Sequence, residues 1–210
     1  MAPMAVSEPR FRSFHALRIK GFAKSDMVAE IAGLGLDEVE GHLASLQEVE
    51  HALFREARAL WQLTPAGKEA HRAELANDAP AEVRKAIEAT YPAFLELNVE
   101  FKSLCGDWQL VDGDANKVND HSDAAYDSKV IARLVSFDER ARPIVSTLAS
   151  AHERMTPYTP RLGGSLDRLR GGEVKMFTGV MCNSYHDVWM ELHEDLILTL
   201  GIDRAAEGSF

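Results

Sequence analysis

The 210-residue chain has only two cysteines, Cys105 and Cys182, which excludes a disulfide framework and a thiolate zinc quartet. Free thiols of this kind belong in a reducing compartment. No run approaches the roughly 18 apolar residues that span a bilayer, and Met1–Arg12 lacks the apolar stretch of a secretory signal. The expected location is therefore the cytoplasm, away from membranes. A Gly-rich phosphate loop, a nucleophile elbow and a His-Glu-x-x-His string are all missing. Nothing here specifies an enzyme, a cofactor or a metal. One further absence is local: the stretch from Asp37 to Glu50 holds five acidic residues and no Lys or Arg.

What is present is an ordinary globular composition, 46% hydrophobic and 27% charged, long enough for one large or two small domains. The formal net charge of −10 is uneven. Residues 1–75 carry 9 basic and 11 acidic side chains, and the remainder carries 14 and 22. An acidic C-terminal part disfavours contact with nucleic acid there.

Along the chain, residues 1–12 read as a loose arm with Pro3, Pro9, Arg10 and Arg12. Phe14, Leu17 and Ile19 predict a first helix, ending near Gly21 or Phe22. Ser25 and Asp37 are candidate caps for a second and a third helix, separated at Gly33-Leu34-Gly35. Val39, Leu43 and Leu46 form the buried stripe of the third. Ala52–Arg55 and Ala59–Leu63 predict a two-stranded hairpin, joined by Glu56-Ala57-Arg58. Thr64-Pro65 then places a hydroxyl cap and an N1 proline at the start of a fourth helix.

Three features of this region resemble the winged helix-turn-helix modules of the MarR and PadR regulator families. They are the turn Gly33-Leu34-Gly35, the Leu43-Ala-Ser-Leu46 repeat, and Leu63-Thr64-Pro65-Ala66-Gly67-Lys68, similar to the families' Leu-Thr-x-x-Gly junction. The resemblance covers residues 12–76. It implies a mainly α protein: a winged helix over 1–76 and an acidic helical-bundle domain over 77–210 for dimerisation or ligand sensing. Glu50-His51 depart from the families' Gly-Leu at the exit of the third helix.

The remainder reads as helical. A seam of Val83, Ile87, Tyr91, Phe94, Asn98, Phe101, Cys105 and Trp108 recurs at spacings of three and four, with Pro92 expected to kink it. A polar loop is expected over 106–122, and separate helices over 123–137 and 138–152. Pro157, Pro160, Gly163 and Gly164 read as breakers before a short helix near Ser165. The last helix, Ser184–Leu200, puts His186, Trp189 and His193 on an apolar face, and Asp187, Glu191, Glu194 and Asp195 on a wet one. The long seam together with this apolar face predicts a homodimer.

Two functional readings lead, ahead of a third in which an enzyme or metal-binding helical protein uses the His186/His193 face. As a transcriptional regulator, the homodimer would bind double-stranded DNA through Arg10, Arg12, Ser45, Arg55 and Arg58, because a third helix without cations cannot neutralise phosphates. A small-molecule effector could then meet Tyr91, His186, Trp189 and His193. In the other reading, the smooth Gly41/Ala44/Ser45 face bordered by carboxylates serves a protein partner.

Overall fold

A computed structural model describes residues 4–203. Among them are eight α-helices and one three-stranded antiparallel sheet, so the protein is mainly helical. No helix of the described residues is long and apolar enough to cross a membrane.

The chain divides into two compact units. One gathers the described residues of Met1–Ile87, Leu148–Pro157 and Glu191–Phe210; the other takes Glu88–Thr147 and Tyr158–Met190. The first unit opens with α1 (Pro9–Lys20), β1 (Phe22–Ala23), α2 (Ser25–Ala32) and α3 (Leu36–Glu48). A hairpin of β2 (Ala52–Arg55) and β3 (Leu60–Leu63) follows, then α4 (Pro65–Asp78). The first strand keeps its expected bounds, whereas the second begins at Leu60 because Ala59 takes a left-handed turn conformation at φ 51°. A third strand was not foreseen: β1 is only two residues long, too short for an alternating pattern, and pairs Phe22 with Gln62 and Ala23 with Trp61. The sheet order is β1-β3-β2.

Phe11, Phe14, Leu17, Val28, Ile31, Val39, Leu43, Leu46 and Leu63 share the core of this unit, with Trp61 half-buried against it. At 25 cal/mol per Å² of apolar surface, each large aliphatic side chain here stabilises by about 1.5–3 kcal/mol. Neither Ser25 nor Asp37 caps a helix. The N-caps are Lys24 and Gly35, one or two residues earlier. Thr64 does cap α4: its hydroxyl accepts the Gly67 N–H at 3.0 Å and donates to the Glu50 carbonyl at 2.7 Å. Gly67 is required by close approach, since a Cβ there would lie 1.9 Å from the His51 carbonyl oxygen.

The departure at Glu50-His51 has a structural answer. The Glu50 N–H donates to Gln47 O at 3.0 Å and the His51 N–H to Leu46 O at 2.8 Å, the paired bonds of a Schellman end. Glu50 therefore occupies the left-handed position, at φ 58°, that glycine fills best.

In the second part of the chain, α5 (Ala81–Gln109) runs past Pro92 without ending, and α6 (Ala124–Ala151) runs past Pro143. The two helices expected over 123–152 are one. Asp138, read as a helix start, is instead buried mid-helix, accepting the Tyr185 hydroxyl at 3.0 Å and pairing with Arg142. The expected breakers near Pro160 also fail. Helix α7 (Tyr158–Arg170) takes Pro160 in its first turn, where a missing N–H costs nothing, and continues through Gly163 and Gly164. Helix α8 spans Tyr185–Leu200.

The seam of α5 is covered within the chain. Phe94 stacks on Trp189 at 4.8 Å, Phe101 meets Phe137 at 5.3 Å, and Asn98 Oδ1 accepts the Trp189 indole N–H at 3.0 Å. The apolar surplus from which a homodimer was expected is thus satisfied without a second copy.

Candidate functional site

The face formed by α3 and the hairpin carries the charge anomaly seen in the sequence. Asp37, Glu38, Glu40, Glu48 and Glu50 are all exposed, as are Gly41 and Ala44 between them. Ion pairs among the described residues include none of these five carboxylates. Ser45 is half-buried, and its hydroxyl donates to the His42 carbonyl at 2.8 Å.

Two of the four arginines expected to offset that face, Arg10 and Arg12, are engaged elsewhere. Arg10 and Arg12 do not lie in a loose arm: Pro9 sits in the first turn of α1 and both arginines are helical. Arg12 is buried. Its Nε donates to Ala32 O at 2.9 Å and its Nη2 to Gly33 O at 3.1 Å, and Nη1 pairs with Glu153 at 3.1 Å. It satisfies the orphan carbonyls at the negative end of α2, so it is no phosphate contact. Arg10 pairs with Glu74 at 3.2 Å, Lys20 with Glu191 at 2.7 Å in a buried bridge, and Arg18 with Glu194. Only Arg55 and Arg58 of the expected DNA-contacting arginines are exposed without a described ion pair.

A second chemistry-bearing cluster, absent from the sequence reading, lies inside the first unit. Arg154 is buried and donates to Asp78 Oδ2 at 3.0 Å, to Thr199 Oγ1 at 3.1 Å, and to Asp195. Its Nη1 also donates to His15 Nε2 at 2.8 Å. Since a guanidinium offers only protons, His15 Nε2 accepts and its Nδ1–H is left to donate to His71 Nε2, 2.8 Å away. His152 is fixed likewise: Nδ1 accepts the Arg154 N–H and Nε2 donates to the Asp78 carbonyl. Burial, reinforced by the Arg154 charge, lowers the pKa of His15 and of His152. Burial and then His15 push His71 down to about 2. With His15 Nε2, His152 Nδ1 and His71 Nε2 each accepting a hydrogen bond, the geometry describes three neutral rings. Burial alone would raise the Asp195 carboxyl, but the Arg154 guanidinium outweighs it and holds that group well below the ordinary carboxylate range.

The four residues expected to contact an effector do not all fall in one unit. Tyr91, His186 and Trp189 belong to the second unit and His193 to the first. Trp189 is fully buried among Phe94, Phe101 and Phe137, its N–H held by Asn98, which makes it core. Tyr91 and His193 are buried, while His186 is half-buried with its ring 6.3 Å from Phe101. Among the described residues no group of three or more His, Cys, Asp or Glu side chains is arranged to hold a metal.

No relative settles the question. The chain matches no protein-family model, and comparison with curated proteins and with solved structures finds no significant match.

The wet face expected for α8 also needs correction. Asp187, Glu191 and Asp195 are buried: Asp187 accepts the N–H groups of Cys182 and Asn183, Glu191 meets Lys20, and Asp195 meets Arg154. Helical spacing assigned them to water because their partners lie on other elements. Two further site residues went unnoticed, Phe54 and Trp61. The hairpin register, legible in the sequence, makes them cross-strand partners with rings 5.1 Å apart.

Proposed function

We propose that the N-terminal part of this protein is a winged helix whose α3–hairpin face binds a protein partner and does not read duplex DNA. The order α1-β1-α2-α3-β2-β3, with its sheet order β1-β3-β2, supports the winged-helix reading. One observation carries the functional choice: four exposed carboxylates on α3 and a fifth, Glu50, just past its end, with no cation on that helix and with Arg10, Arg12, Arg18 and Lys20 engaged elsewhere. Such a face repels phosphates, whereas its Gly41–Ala44 strip allows another protein's backbone to approach closely.

The second reading, a DNA-binding homodimeric regulator, draws its support from Arg55 and Arg58, both exposed on the hairpin. Fluorescence anisotropy of a labelled duplex at low salt separates the two. We expect no affinity for the wild-type protein, and loss of captured protein partner in Ala44→Arg. Duplex binding would overturn the interaction reading if Arg55→Ala with Arg58→Ala weakened it and flattened its salt slope by about 0.9 per lost phosphate contact.

A further inference from the structure

We propose that a cavity of about 420 Å³ between α3 and the hairpin is a cation pocket that takes a lysine or arginine side chain of the protein partner. This rests on the interaction reading above and names the partner's chemistry. The pocket is lined by Ser25, Glu40, Gln47, Phe54, Glu56 and Trp61.

Its walls follow from two periodicities. In the hairpin, Phe54 pairs with Trp61, so both side chains stand on one face of the sheet, and Arg55, paired with Leu60, falls on the other. On α3, Glu40 and Gln47 are seven residues apart and share one line of the helix. The pocket's aromatic wall thus faces the Glu40 edge of α3, and Arg55 falls on the opposite face of the sheet.

The aromatic pair is held ready for a ligand. The Trp61 indole N–H donates to Ser25 Oγ at 3.2 Å, fixing the ring, and Phe54 packs against it at an interplanar angle of 51°. Phe54 nonetheless remains 38% exposed, although a large aromatic gains most by burial. Aromatic faces attract cations through their negative quadrupole. Glu40 and Glu56, both exposed, add two full negative charges, and no lining residue is basic. A phosphate or carboxylate ligand would be repelled. A neutral apolar ligand would strip water from the two carboxylates without compensation. A basic side chain satisfies both walls: its methylenes cover the rings while its charge meets Glu40 and Glu56.

The test uses the full chain and a short, end-blocked peptide of alternating alanine and lysine, with the same peptide fully lysine-acetylated as control. The readout is the Trp61 indole N–H signal in two-dimensional NMR, one of three indole signals, identified by its loss in Trp61→Phe. We expect the lysine peptide to shift that signal in a saturable way and the acetylated peptide to leave it in place. Phe54→Leu should weaken binding by about fivefold, from loss of the ring's attraction for the cation. Glu40→Gln combined with Glu56→Gln should weaken it about fivefold to tenfold, as for exposed charge pairs, and added salt should act the same way. The pocket is refuted if the acetylated peptide shifts Trp61 equally, or if the lysine peptide shifts nothing there. If the latter occurs while Ala44→Arg still abolishes partner capture, the pocket falls and the interaction face stands. Duplex binding, by contrast, removes the interaction reading itself.

Discussion

Acid should unfold this protein through its buried histidines, and His71 gives the magnitude. Its ring is stacked on Phe11 and edge-on to Phe14, and receives its hydrogen bond from His15. Burial first, then His15, Arg18 and Arg154, push its pKa from 6.5 down to about 2. Between those values the unfolded chain binds a proton that the folded chain does not, so folding stability falls as pH falls. The contribution is fully present above about pH 6.5 and shrinks by about 1.4 kcal/mol per pH unit below it. At about pH 4.5 the loss from His71 alone reaches about 2.7 kcal/mol, a large share of the 5–15 kcal/mol typical of a folded protein. His15 and His152 are lowered too, so they act with the same sign. Urea unfolding followed by circular dichroism, repeated from neutral pH down to about pH 4.5, measures this slope. His71→Gln should flatten it by up to about 1.4 kcal/mol per pH unit, whatever the substitution does to stability at neutral pH. An unchanged slope in that variant would mean that His71 is protonated in place, and the neutral chain of rings would be refuted.

Two other substitutions probe the framework. Glu50→Gly should stabilise by about 0.5–1 kcal/mol, because the left-handed cost of a side chain at φ 58° exceeds the extra chain entropy of glycine; thermal melting that shows a loss would refute the Schellman assignment. Arg154→Met should cost about 3–5 kcal/mol in chemical denaturation, since Asp78 and Asp195 would keep buried charges without their counter-ion; a cost below 1 kcal/mol would show that water reaches the cluster.

Local rules account for what was legible. Thr64-Pro65 fixed the start of α4 because a cap and an N1 proline act within one turn, and the hairpin followed from two short apolar runs bounded by charge. The buried stripes of α3 and α5 also follow from spacing alone: Val39, Leu43, Leu46, Ile87, Phe94 and Phe101 are all fully buried. Illegible were the contacts of polar residues at long range. Arg12 meets carbonyls 20 and 21 residues away, and Arg154 meets Asp195 at a separation of 41. No periodicity encodes such a partner, and a charged residue opposite an apolar stripe reads as solvated by default.

That same failure sharpens the candidate site. A charge in the sequence says little about function until its structural partners are known, because a buried ion pair and a solvated one look alike in one dimension. Once Arg12, Lys20, Arg154, Asp138, Glu191 and Asp195 are assigned to the interior, they no longer describe the surface. The charges left outward on α3 and its exit are Asp37, Glu38, Glu40, Glu48 and Glu50, none with a described ion pair, and Asp37 and Glu40, three residues apart, repel each other slightly. A helix that keeps such a row, beside an exposed phenylalanine and a fixed indole, is poorly built for phosphate and well built for a basic partner.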